Sequence, residues 1–148
     1  MLRKLWELVD STRLTRSGFS QVEMRQINEA LSHLVLESPA VIRAALVSVA
    51  GSFVASFPQQ AIEQDRISAM SAAMLSLGER ICRELGSGDM RYAIIAGDKT
   101  SQLLIVLSKD YVLELEVRPD VSIDETLNTL RESIKPLSQA LAPETRAL

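Results

Sequence analysis

The stretch Arg91-Tyr-Ala-Ile-Ile-Ala-Gly-Asp-Lys-Thr-Ser-Gln-Leu-Leu-Ile-Val-Leu-Ser-Lys-Asp-Tyr-Val-Leu-Glu-Leu-Glu-Val117 decides the fold. It divides into strand-like runs at Arg91 to Ala96, Gln102 to Leu107 and Tyr111 to Val117. The gaps between them, Gly97 to Thr100 and Ser108 to Asp110, are of hairpin length. They are too short for the crossover that parallel neighbours need. The runs therefore form an antiparallel meander, ended by Pro119-Asp120. Apolar neighbours such as Ile94-Ile95 and Leu103 to Leu107 predict a sheet covered on both faces.

Upstream of the meander, Asp65 is the expected N-cap of a helix that runs to about Leu85 and stops at Gly86-Ser87-Gly88. Before it, Val41 to Val49 and Ser52 to Phe57 read as a hairpin. Its loop, Val49-Ala50-Gly51, places Gly51 at the left-handed position, and Pro58-Gln59-Gln60 breaks the second strand. The first clear helix is Ser20 to Glu37. Ser20 and Glu23 match a capping box, and Phe19 and Met24 match a hydrophobic staple. Met24, Ile27, Leu31, Leu34 and Val35 form its apolar face, and Ser38-Pro39 stops it.

Downstream, Ser122 to about Leu141 is the last helix, opened by a second capping box, Ser122 with Glu125. Ile123, Leu127, Leu130, Ile134, Leu137 and Leu141 form its apolar face, and Pro136 is expected to kink or end it. At the other end, Leu2, Leu5, Trp6 and Val9 fall at helical spacing. So short a helix is marginal alone and has to dock. The polar stretch Ser11 to Gly18 links it to the rest. The expected organisation is a short helix and linker at residues 1–18, a domain at 19–141 and a frayed tail at 142–148.

At 148 residues, 47% hydrophobic and 24% charged, the chain has the composition of one globular domain. A net charge of −3 and 4% aromatic residues argue against a nucleic-acid partner. A single cysteine, Cys82, excludes an intrachain disulfide, and a single histidine, His33, excludes a multi-histidine metal site. The N-terminal residues do not read as a secretory signal, and no run reaches the ~20 apolar residues of a membrane span. A cytoplasmic protein with no membrane span, no cofactor and no bound metal is expected.

The order of elements, with Ala45-Leu-Val-Ser-Val-Ala-Gly-Ser-Phe-Val-Ala-Ser56, Met70-Ser-Ala-Ala-Met-Leu-Ser-Leu-Gly-Glu-Arg80 and the meander ending in Tyr111-Val112-Leu113, resembles the roadblock / dynein light chain family. The likeness runs from about Phe19 to Leu141. The chain departs from it at Ala50, where many relatives carry an acidic residue or Asn before the glycine. The resemblance implies an α+β, profilin-like fold: a five-stranded antiparallel sheet with the middle helix on one face and the first and last helices on the other. It implies dimers in which the middle helices pack together and the sheets join through the third strand. Under that reading Ile67, Met70, Met74, Leu77, Ile81, Tyr92 and Ile94 form the dimer interface. It also implies a non-enzymatic partner of a small Ras-like GTPase or a subunit of a motor or signalling complex. One bacterial branch, the gliding-motility polarity regulators, stimulates GTP hydrolysis in its partner.

The residues themselves leave alternatives open. On the middle helix, Ile67, Met70, Met74, Leu77, Ile81 and Leu85 form one stripe, and Ala69, Ala72, Ala73, Ser76 and Gly78 form a set of small residues. Spacing alone fits a buried helix in a monomer as well as a helix shared between subunits. Glu79, Arg80 and Arg83 are candidate partner contacts, against the plainer reading of a solvated face with local ion pairs. Gly97-Asp98-Lys99-Thr100 superficially resembles a phosphate loop but lacks its pattern and is followed by a strand, so it reads as a hairpin turn. His33 reads as a surface residue, and Cys82 as a small buried hydrophobe. Glu114 and Glu116 share one strand face and read as solvated or ion-paired. No acid, base or nucleophile constellation is present, so no catalytic residue is assigned. The function expected is a homodimeric regulator or scaffold of a small Ras-like GTPase. The alternatives are a small-molecule sensor and a structural subunit of a signalling or motility complex.

Overall fold

The computed structural model describes residues 18–59 and 63–142. The expected N-terminal helix, most of its linker, Gln60 and the tail from residue 143 lie outside the described residues. Helices α1 (Gln21–Glu37), α2 (Gln64–Glu84) and α3 (Ile123–Ala140) accompany strands β1 (Val41–Ser48), β2 (Phe53–Phe57), β3 (Tyr92–Ala96), β4 (Ser101–Val106) and β5 (Tyr111–Val117). The strands form one five-stranded sheet in the order β2-β1-β5-β4-β3. Every neighbouring pair is antiparallel. The meander thus joins the first hairpin through β1 and β5, and β2 and β3 are left as edges.

The alternation of side chains along each strand sorts the core into two layers. Ala44, Leu46, Leu103, Leu113 and Leu115 face Ile27, Leu31 and Leu34 of α1 and Leu130 and Leu137 of α3, in one large cluster. Val47, Leu104 and Val112 face the opposite way, toward Leu75 of α2, in a much smaller one. The expected fold class, with the middle helix alone on its face, is the one observed.

Local chemistry sets the element ends. Ser20 Oγ accepts from the Glu23 N–H at 3.2 Å, and Glu23 Oε2 accepts from the Ser20 N–H at 2.6 Å, so the first capping box is complete. At α3 the structure forms the hydroxyl half of the second box: Ser122 Oγ accepts from the Glu125 N–H at 3.3 Å. Gly51 has φ +94°, and a Cβ there would lie 3.2 Å from the Ala69 Cα. A side chain is therefore opposed both by backbone conformation and by the close approach of α2. At the far end of α2, the Ser87 N–H bonds the Cys82 carbonyl and the Gly86 N–H bonds the Arg83 carbonyl. That pair of bonds is a Schellman closure.

One expectation is corrected here, and one is narrowed. The N-cap of α2 is Glu63; Asp65 sits inside the first turn, where its charge meets the positive end of the helix dipole. Pro136 does not end α3, which continues to Ala140. Proline removes one N–H, and the Glu132 carbonyl that loses its partner sits on an exposed turn.

Candidate interaction surface

α2 is amphipathic in the reverse sense to a helix that builds a core. Its buried residues are Ser68, Ser71 and Leu75. The apolar stripe one residue ahead of them points outward: Ile67 is 37% exposed, Met74 42%, Ile81 53%, and Met70 and Leu77 57%. One residue is a 100° rotation on a helix, so two stripes with the same three-four spacing end on different sides. Of the small residues, Ala72 and Gly78 are half-buried. Ala69, Ala73 and Ser76 stay exposed beside the stripe.

Beneath α2 the sheet is polar at the helix's N-terminal end. Arg43 on β1 and Glu114 on β5 are each only 5% exposed. Arg43 Nη2 donates to Gln64 Oε1 at 2.7 Å, Gln64 Nε2 donates to Ser56 Oγ at 3.4 Å, and Ser68 Oγ donates to the Gln64 carbonyl at 2.8 Å. Burial pushes the Glu114 carboxyl above the ordinary glutamate range, opposed by a hydrogen bond from Ser71 and by the charge of Arg43. Arg43 Nε and Glu114 Oε1 are buried with no partner among the described residues. Of the two expected readings, solvated or ion-paired, the solvated one does not hold for Glu114, because α2 covers the strand face it shares with Glu116; the charge of Arg43 acts on it there. A helix seated partly on polar groups draws less hydrophobic stabilisation from its own sheet.

The exposed stripe lies on the same side of the molecule as part of the β3 edge. Tyr92 and Ile94 pair with Ile105 and Leu103, which places them on the α1–α3 face of the sheet. Ala93 and Ile95 alternate onto the α2 face, with Ala93 packed against the smaller cluster. Ile94 and Ile95 are equally exposed, 42% each, on opposite faces of this strand. The sequence reading names Ile94, and the structure shows Ile95 equally exposed beside it. The signal is present, since two adjacent apolar residues on an edge strand cannot both point into one core.

The candidate partner contacts cluster at the C-terminal end of α2. Arg80 Nε holds Glu84 Oε1 at 3.0 Å, both side chains being well exposed. Glu79 and Arg83 line an open cleft of about 830 Å³ with Cys82, Asp89, Met90 and Lys109. Cys82 is half-buried rather than buried. His33 is exposed on α1, 3.8 Å from Glu37. Gly97 to Thr100 is a hairpin turn closed by the Gly97 N–H on the Thr100 carbonyl at 3.0 Å. Among the described residues no three His, Cys, Asp or Glu side chains come together to hold a metal ion, and no helix is long and apolar enough to cross a membrane.

Comparison with known proteins adds the family context. The family model of the Roadblock/LC7 domain matches residues 27–114. A Roadblock/LC7 domain from Streptomyces avermitilis is 19% identical over 77% of this chain and 96% of its own, with a TM-score of 0.69. Myxococcus xanthus MglB is 17% identical over 78% of this chain and 94% of its own, with a TM-score of 0.70. The gliding protein MglB from Thermus thermophilus is 13% identical over 82% of this chain and 93% of its own, with a TM-score of 0.69. At these identities the likeness is one of fold. A search of curated proteins finds no match.

Proposed function

This chain belongs to the Roadblock/LC7 domain family, and on that premise we propose that it is a non-enzymatic, cytoplasmic regulator or scaffold that acts as a homodimer on a small Ras-like GTPase. The observation that carries the reading is the outward stripe Ile67, Met70, Met74, Leu77 and Ile81 on a helix whose underside is partly polar. A contiguous apolar face of this kind marks an interaction surface. The β3 edge continues it. Unpaired backbone groups on that strand favour sheet-to-sheet pairing, and Ile94 and Ile95 flank the seam on its two faces. Methionines at the centre of the stripe suit a helix-on-helix seam because they fill irregular gaps.

The GTPase is the partner that the roadblock resemblance implies. Two subunits joined through α2 bring two copies of Glu79, Arg80 and Arg83 to the ends of one continuous surface, where a partner can bridge them. The likeness in fold to two MglB structures, one of them entitled a gliding protein, supports a place in a motility or signalling system.

The test is binding and hydrolysis with a purified small Ras-like GTPase from the same organism. The GTPase is loaded with GTP or GDP, and its hydrolysis rate is measured with and without the purified chain. A complex of two chains with GTPase, together with a changed rate or a nucleotide-dependent affinity, is the expected result. Saturable micromolar binding of GTP to the chain alone, or no complex in either nucleotide state, refutes the reading.

A further inference from the structure

The two ends of α2 are held to the sheet by different chemistry. Toward the C-terminus, Leu75 is buried against Val47, Leu104 and Val112. A turn further on, a Cβ built on Gly78 would lie 2.5 Å from Met90 Sδ, so Met90 rests directly on the helix backbone. The Schellman bonds to the Cys82 and Arg83 carbonyls close that end. The first two turns, Gln64 to Ser71, are held otherwise. Their buried residues are Ser68 and Ser71, both hydroxyls, and the N-cap Glu63 makes no side-chain bond to the helix start. Ala69 approaches the Gly51 turn, a meeting of small residues with little area to bury.

The floor under these turns is charged and its bonding is incomplete. Arg43 of β1 and Glu114 of β5 are almost fully buried, and each keeps one buried polar atom, Nε and Oε1, with no partner among the described residues. The groups around Glu114 come from each neighbouring element. β1 contributes the Arg43 guanidinium and α2 the Ser71 hydroxyl. β5 itself contributes Glu116, two residues on along the same face. β2 places Ser56 in line with Glu114 across Ala45, and β4 places Leu104 and Gln102 opposite Glu114 and Glu116, so neither strand adds a charge. A buried ion pair with unmet bonds carries a desolvation cost. Raising the helix start lets water reach both atoms and gives up no buried apolar side chain. Local openings of a fold are drawn from such weakly supported segments.

We propose that Gln64 to Ser71 form a strap that lifts from the sheet as a unit while Leu75 and the turns beyond it stay seated, and that the charge on Glu114 sets how often it lifts. The strap carries Ile67 and Met70, so it divides the outward stripe into a conditional part and a fixed part, Met74, Leu77 and Ile81. The inference concerns a single chain and holds whether or not the stripe is a dimer seam. Its sign follows from burial, which opposes the charged carboxylate and so favours the proton in the seated state. The stabilisation that the proton gives to seating is fully present below the ordinary value of 4.5 and is lost as pH rises through the higher value of the seated carboxyl.

The experiment is hydrogen exchange of individual backbone amides in the full chain, corrected for intrinsic rates, in the native sequence, in Glu114→Gln and in Met74→Glu. Light scattering on the same samples reports association, so a failure of the dimer reading shows there and leaves the exchange result standing. Amides of residues 68–71 are expected to share one opening equilibrium at least about tenfold larger than that of residues 79–82, in the native sequence and in Met74→Glu alike. Between about pH 4 and about pH 8 that opening grows several-fold in the native sequence, while residues 79–82 do not follow it. Glu114→Gln keeps the amide volume without the charge, lowers the opening at neutral pH and flattens its pH dependence. Equal opening of the two ends of α2 overturns the inference. So does a graded loss of protection from residue 68 inward that ignores Glu114→Gln, which is ordinary fraying of a helix end. A pH dependence that persists in Glu114→Gln overturns it equally.

Discussion

Met74 and Leu75 are neighbours in sequence and point to different sides of α2, so a charge at the first and a truncation at the second separate association from folding. Met74 is 42% exposed in the isolated subunit. Full burial of a methionine contributes ~1.5–3 kcal/mol, so covering the exposed share is worth about 1 kcal/mol per subunit and about 2 kcal/mol across a twofold seam. Met74→Glu removes that contribution and leaves carboxylates in a desolvated seam, which adds several kcal/mol. At ~1.4 kcal/mol per tenfold, the dimer dissociation constant rises at least about 100-fold. The fold is expected to survive, because the glutamate stays in water in the monomer. Sedimentation equilibrium with circular dichroism reads both quantities. Leu75→Ala, by contrast, opens a cavity against Val47, Leu104 and Val112 and destabilises the fold by about 2–4 kcal/mol. A dimer of unchanged affinity in Met74→Glu would refute the seam. An unfolded Met74→Glu chain would show that the residue supports its own core.

Gly51→Ala is expected to destabilise the domain by about 1–3 kcal/mol, since it combines a disfavoured φ with the Ala69 backbone 3.2 Å away; urea unfolding midpoints measure it, and an unchanged midpoint counts against the requirement for glycine. Ser20→Ala removes the hydroxyl of the complete capping box and should lower stability by about 1 kcal/mol, read in the same assay. Burial holds the Glu114 carboxyl above the ordinary glutamate value of 4.5, so the native chain binds that proton more tightly than the unfolded chain. Stability tied to this proton is present at low pH and is lost as pH rises above about 4.5. Glu114→Gln should therefore gain on the native sequence as pH is raised through that window; a stability difference that is flat with pH would contradict the assignment.

Features governed by a few adjacent residues were legible in the sequence. The capping box at Ser20, the left-handed Gly51, the two meander turns and the stop at Gly86 all depend on chemistry within a handful of positions. What was not legible depended on which element lies above a face. The alternation Leu113-Glu114-Leu115-Glu116 correctly separates two sides of β5, but it does not say that α2 covers the glutamate side. Arg43 was passed over for the same reason, its partner Gln64 lying on a different element. The stripe on α2 reads as core by hydrophobicity, and only the family resemblance directed it outward. At β3 the exposure of both Ile94 and Ile95 is not legible, because strand position in the sheet, and hence the free edge, emerges only from the pairing of β1 with β5.

The partly polar seat of α2 also separates two kinds of evolutionary constraint. The residues that α2 turns inward or bonds to the sheet, Gln64, Ser68, Ser71 and Leu75, are not those of the outward stripe. Substitutions at Ile67, Met70, Met74, Leu77 or Ile81 therefore leave the fold's own supports in place. After a gene duplication, two descendants of such a chain can diverge along the stripe until each prefers the other to itself, with neither losing the capacity to fold on the way.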